Sequence, residues 1–167
     1  GSVYTRSELE ALAEVVSRHD LYVVSDEIYE KLIFDGMAFH SIAQLGDELK
    51  SRTFIANGVS KTYAMTGWRI GYAAGPSDVI AGMTKIQSQS TSNPNSIAQK
   101  AAIAALTGPQ DFIQEMLVAF DERRHFLVER LNAMSGVHCN VPGGAFYTFA
   151  NFSHYFILTY TSLLLIY

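Results

Sequence analysis

Asp26, Tyr29, Lys61 and Arg69 are the residues of this chain whose types and spacing could do chemistry together. The run Val24-Ser25-Asp26-Glu27-Ile28-Tyr29 carries a predicted strand straight into acidic residues. An Asp at the carboxyl end of a parallel strand faces the crevice where open α/β sheets bind ligands. Asp26 and Tyr29 are three positions apart, so a turn or helix start sets them side by side. Asp26 also suits the cap of that turn, with Tyr29 as packing. Lys61, in Asn57-Gly58-Val59-Ser60-Lys61-Thr62, follows another predicted strand and reaches the same crevice; by itself it reads as a surface lysine. Arg69 opens a third predicted strand. A guanidinium there can grip a phosphate or carboxylate with two parallel bonds, or close a strand-end salt bridge.

Two competing motifs fail on identity. A phosphate loop of the GxxxxGK[ST] type needs glycine at 55 and 60, which are Ile55 and Ser60. The SxxK pattern of penicillin-binding enzymes needs serine at 58, which is Gly58. One chemistry would use the whole set. A pyridoxal-5′-phosphate (PLP) site needs a lysine for the Schiff base and a carboxylate on the pyridine nitrogen. It also needs a donor to the ring oxygen and anchors for the phosphate.

The elements that must position these residues alternate. Thr5-Arg6-Ser7-Glu8 fits a capping box, and Leu9, Leu12, Ala13 and Val16 repeat at helical spacing until His19-Asp20. Leu21-Tyr22-Val23-Val24 reads as a strand buried on both faces. Further strands are expected at 53–57 and 69–74, and helices at 78–89 and 96–106, separated by Asn93-Pro94-Asn95. A long helix is expected from Pro109 to about Met134, with Gly136 at C′. An aromatic strand, 145–149, follows Gly143-Gly144. Short buried strands interleaved with helices predict an α/β fold.

SDEIYE (25–30) followed by SKTYAMTGWRIGY (60–72) resembles the fold-type-I, class I/II aminotransferases, most of all their bacterial aspartate aminotransferase branch. The resemblance runs over about residues 1–153. It implies a partial PLP-binding large domain over 1–108, a linking helix over 109–135 and the start of a small domain over 136–167. It implies Lys61 as the catalytic Schiff-base lysine and proton shuttle, Asp26 on the pyridinium nitrogen and Tyr29 on the ring oxygen, with Ser60 and Arg69 near the phosphate. Ser92 and Asn93, within Ser90-Thr91-Ser92-Asn93-Pro94, resemble a loop near the dimer interface. Phe146, within Gly143-Gly144-Ala145-Phe146-Tyr147, resembles a residue near the substrate.

The implied activity is amino transfer between an amino acid, aspartate being one candidate, and a 2-oxo acid, in a cytoplasmic homodimer of amino-acid metabolism. Lyases share these motifs. A non-catalytic PLP-binding fragment, or an aminotransferase-like effector domain, is the alternative. Some relatives place a phosphate-binding serine where this chain has Gly58. Animal-type aspartate enzymes place a substrate-reading arginine where it has Ser88. The resemblance also places an Asn-Pro-Thr-Gly turn before residue 1 and a carboxylate-binding arginine beyond Tyr167, so the active site is expected to be incomplete in this chain.

Composition narrows the other classes. A formal net charge of −4 gives no reason to expect a nucleic-acid partner. Cys139 is the single cysteine, so an internal disulfide is excluded. His40, His125, His138 and His154 form no metal spacing with it. Arg123-Arg124 reads as a solvated helix face. No Asp, Glu, Lys or Arg follows Arg130, and the terminal YFILTYTSLLLIY is shorter than the ~20 apolar residues that span a bilayer. That run reads as a buried strand or as an atypical terminus, not as a membrane segment.

Overall fold

The structure, a computed structural model, describes residues 1–156. The apolar run expected from Tyr155 lies outside them from position 157 onward.

Helix α1 (Arg6–Arg18) starts as its sequence dictates. The Thr5 hydroxyl accepts from the Glu8 amide, and the Glu8 carboxylate accepts from the Thr5 amide at 2.7 Å. It ends at His19, with Asp20 at a φ of +52°. Strand β1 (Val23–Asp26) follows, and a crossover through helix α2 (Asp47–Arg52) returns the chain as β2 (Thr53–Gly58). The two strands are parallel, with Val23 opposite Thr53 and Asp26 opposite Ala56. Strand β3 (Gly71–Ala74) adds antiparallel to β2. Leu9 and Ala13 of α1 bury against Ile42 and Leu49, and Val23 packs on that cluster.

Helices α3 (Ser77–Ser90), α4 (Ser96–Thr107) and α5 (Asp111–Asn132) come next, and α4 is capped by Asn95. Strands β4 (His138–Cys139) and β5 (Ala150–Asn151) form a separate antiparallel ladder. The alternation gives the expected α/β layering.

Four expectations change. The first strand sits later than Leu21–Val24 and is buried on one face only: Val24 is 75% exposed. The reason is that α1 covers the side of β1 that carries Val23, and period two turns Val24 the other way. The third strand begins at Gly71, not Arg69, and all four of its residues are exposed. Arg69 instead closes a 3-10 turn, Thr66–Trp68, in the left-handed region. Helix α5 is capped by Ala133, so Gly136 is beyond C′ and serves a later turn at a φ of +72°. The aromatic strand expected over 145–149 does not form: 145–146 make a turn, because Ala145 has a φ of +58°, and pairing resumes only at Ala150.

Candidate active site

Parallel β1 and β2 run in the same direction, so their carboxyl ends open at one edge of the sheet. Asp26 is the last residue of β1, and Gly58 the last of β2, with Ser60 and Lys61 in the turn that follows. This is where an open α/β sheet places its ligand crevice. Asp26 is exposed, and its Oδ1 accepts from the Ile28 amide at 3.1 Å. The capping bond is therefore made. It aims the carboxylate rather than competing with a ligand, because a carboxylate accepts at both oxygens.

Past Asp26 the chain turns through Tyr29 and runs to Phe34, where it meets the 142–147 segment. Phe34 N–H donates to the Gly143 carbonyl at 2.9 Å, and Ala145 N–H donates to the Leu32 carbonyl at 2.8 Å. These bonds carry Phe146 and Tyr147 onto Tyr29. The ring of Tyr29 meets Phe146 edge-on at 5.4 Å between centroids, and the hydroxyls of Tyr29 and Tyr147 are 2.5 Å apart. On its far side Phe146 stacks on Phe120 of α5, at 5.4 Å.

Lys61 reaches into this aromatic group. Its Nζ lies 5.8 Å from the centroid of Tyr29 and 5.4 Å from that of Phe146, and it has no hydrogen bond or ion pair among the described residues. The rings hold the amine by their faces.

Tyr29 has its pKa pushed well up. Burial is the largest cause, followed by the hydrogen bond to Tyr147, the charge of that phenol, and the charge of Asp26. The phenol therefore stays neutral and remains a donor. Asp26 and Lys61 both act on the same ring, one by field and one by contact.

Other sequence candidates are not brought to the amine. Arg69 donates from Nη1 to the Thr66 carbonyl at 2.9 Å, within its own turn. Ser92, at a φ of +64°, and Asn93, whose amide donates to the Thr91 carbonyl at 2.8 Å, stay in an exposed loop. Ser60 adjoins Lys61 in sequence and is half-buried.

Sequence reasoning missed Tyr147 and misread Arg124. Arg124 is buried at 6% exposure, not solvated, and donates to both oxygens of Asp35 and to the Pro142 carbonyl. A signal existed: Ile113, Arg124 and Val128, all buried, fall on one helical stripe of α5.

A cavity of about 500 Å³ is lined by Asp26, Tyr29 and Tyr147, among others. A larger one, of about 1090 Å³, lies beside Glu27, Lys31 and Lys50 and touches none of the four chemical residues, so size does not select the site. Lys61 is not among the residues lining the smaller cavity and meets it only through the ring of Tyr29. The types present fit a pyridoxal ring: an amine without a polar partner among the described residues, a neutral phenol and an accessible carboxylate suit its aldehyde, ring oxygen and ring nitrogen.

Comparison with known proteins agrees. Residues 1–163 match the family described as aminotransferase class I and II. The chain is 54% identical over 151 residues to the aspartate aminotransferase of Geobacillus stearothermophilus, covering 90% of this chain and 38% of that protein. It is 53% identical over 154 residues to the aspartate/prephenate aminotransferase of Cereibacter sphaeroides, covering 92% and 38%. Its fold superposes on the crystal structure of the Rhizobium meliloti aspartate aminotransferase with a TM-score of 0.87 and 49% identity, over 89% of this chain and 38% of that one. The chain thus spans somewhat over a third of the length of these relatives, a family that uses PLP. On the match along nearly its whole length, the chain belongs to the class I and II aminotransferase family.

Proposed function

We propose that this chain carries the lysine-bearing part of the site of a PLP-dependent aminotransferase, with Lys61 as the covalent anchor. The observation that carries the reading is the Lys61 amine, without a polar partner among the described residues, between Tyr29 and Phe146 at the edge where Asp26 ends β1.

When bound, PLP supplies an electron sink for the bonds at the substrate's α carbon. The chain's own residues do the rest. Asp26 holds a proton on the ring nitrogen, and Tyr29 donates to the ring oxygen. Lys61 would hold the cofactor and, as a free amine, would move the proton at the α carbon. Ser60 and Arg69 supply donors to the phosphate, for which Arg69 has to turn from the Thr66 carbonyl. Phe146 walls the substrate side. In the whole protein, residues 1–108 belong to the cofactor-binding domain, 109–135 link, and 136–167 begin a small domain, with Ser92 and Asn93 near a homodimer interface. The reaction passes an amino group from an amino acid, aspartate first among candidates given the names of the relatives, to a 2-oxo acid.

The span of only 38% of the relatives' length favours a second reading, in which this chain captures PLP without turnover. The experiment is an absorbance scan of the chain with PLP, then borohydride reduction and peptide mass analysis. A near-visible band, a reduced adduct on Lys61, and loss of both in Lys61→Ala support the anchor. An undiminished band in Lys61→Ala ends it. Transamination of aspartate by the chain separates the two readings.

A further inference from the structure

We propose that Tyr147 is a positioning residue whose hydroxyl fixes the hydroxyl of Tyr29, and with it the donor that Tyr29 turns toward a ligand beside Lys61. The inference deepens the reading of the site above and rests on it for the identity of the ligand.

The two residues are 118 positions apart, and their oxygens are 2.5 Å apart. Their rings meet edge-on, with centroids 5.6 Å apart. Tyr147 is not at this place by chance of a mobile side chain. The Gly143 carbonyl and the Ala145 amide are bonded to Phe34 and Leu32, and Phe146 is held between Tyr29 and Phe120. Backbone and neighbouring ring thus set where the Tyr147 phenol lies.

A phenol has one proton to donate and lone pairs to accept with. With no ligand present, one of these hydroxyls donates to the other. Once Tyr29 donates to a ligand oxygen, its own oxygen is free to accept, and Tyr147 becomes the donor in a two-step chain. Hydrogen bonds in such a chain polarise one another, so the second phenol makes the first a stronger donor. It also holds the Tyr29 hydroxyl in place, which lowers the ordering cost of binding. The groups that face Tyr29 are Asp26, the Lys61 amine and Tyr147 itself. A carboxylate only accepts, and the Lys61 amine is committed to the ligand in the reading above, so neither can serve as this switchable partner. Tyr147 can both give and take.

Tyr147→Phe keeps the ring and removes only the hydroxyl. In spectra of the full chain with ¹³Cζ-labelled tyrosine at neutral pH, the Tyr29 resonance, assigned by Tyr29→Phe, should move more in Tyr147→Phe than those of Tyr63 and Tyr72. If it stays in place, the proposal is overturned. With PLP, Tyr147→Phe should weaken capture about threefold to fivefold, the scale of one neutral hydrogen bond of ~1 kcal/mol. In the Tyr29→Phe background the same substitution should have no further effect. Equal weakening in both backgrounds would show a packing role and also overturn the proposal. Should wild type give no Lys61-dependent band, the PLP reading fails, and the ligand-free spectra still decide whether Tyr147 sets Tyr29.

Discussion

Arg124 and Asp35 are joined by two parallel hydrogen bonds, both 2.7 Å, across 89 positions of chain. The Arg124 guanidinium also donates to the Pro142 carbonyl and lies 4.5 Å over the ring of Phe34. Phe120, one helical turn earlier, carries Phe146. Helix α5 therefore holds both ends of the 142–146 turn, and that turn sets the wall beside Lys61.

Arg124→Met should destabilise the chain by about 2 kcal/mol, since charge-assisted bonds to Asp35 and to a half-buried carbonyl are lost together. Urea unfolding measures it. A loss below ~0.5 kcal/mol would place Arg124 among ordinary surface residues.

Asp35 gives this pair a pH signature. The hydrogen bond from Arg124 is the largest cause that lowers the Asp35 pKa from its ordinary 3.8, partly opposed by burial. A depressed folded value means stability present above the unfolded pKa and lost as pH falls through the folded one. Asp35→Asn should therefore flatten the acid side of the stability curve below about pH 4, with little change in its slope near neutrality. An unaltered acid slope would mean that the pair does not couple to folding.

Gly58 bears on the end of the site proposed to take the phosphate. A Cβ there would lie 3.1 Å from the Gly71 Cα and 3.2 Å from the Ile70 carbonyl oxygen, both backbone atoms of the neighbouring strand segment. Gly58→Ser should cost ~1–3 kcal/mol as an overpacking change, even though it supplies a hydroxyl near the expected phosphate. Thermal unfolding of the variant, compared with PLP capture, reads both effects. A serine accepted without loss would show that β3 yields.

Asp26→Asn removes charge and keeps shape. Loss of a charge-assisted bond to the ring nitrogen should weaken PLP capture roughly 10-fold to 100-fold, while the bond to the Ile28 amide survives and stability changes little. Equilibrium titration with PLP checks this. Unchanged capture would assign Asp26 to turn capping alone.

Thr5→Ala tests the start of α1, with an expected loss of ~1 kcal/mol in urea unfolding as the capping box opens. No measurable loss would mean that packing of Leu9 and Ala13, not the cap, fixes that end.

The amino-acid sequence by itself determined what is local. The Thr5 cap, the alternation of strands and helices, the break at Asn93-Pro94-Asn95, and the placing of Asp26, Tyr29 and Lys61 each just after a strand are written in neighbours a few positions apart, where backbone preference and period dominate. Only the tertiary structure decided what joins distant segments. Arg124 reads as solvated because its one local partner, Asp121, fits an exposed helix pair; what buries it are Asp35 and the Pro142 carbonyl, which only the fold brings within reach. Val24 reads as buried because its side chain is apolar, yet α1 covers only the other face. Phe146 and Tyr147 read as a strand by composition, but the left-handed Ala145 turns them onto Tyr29. Composition states what a residue tolerates; which surface it meets is fixed when the chain closes on itself.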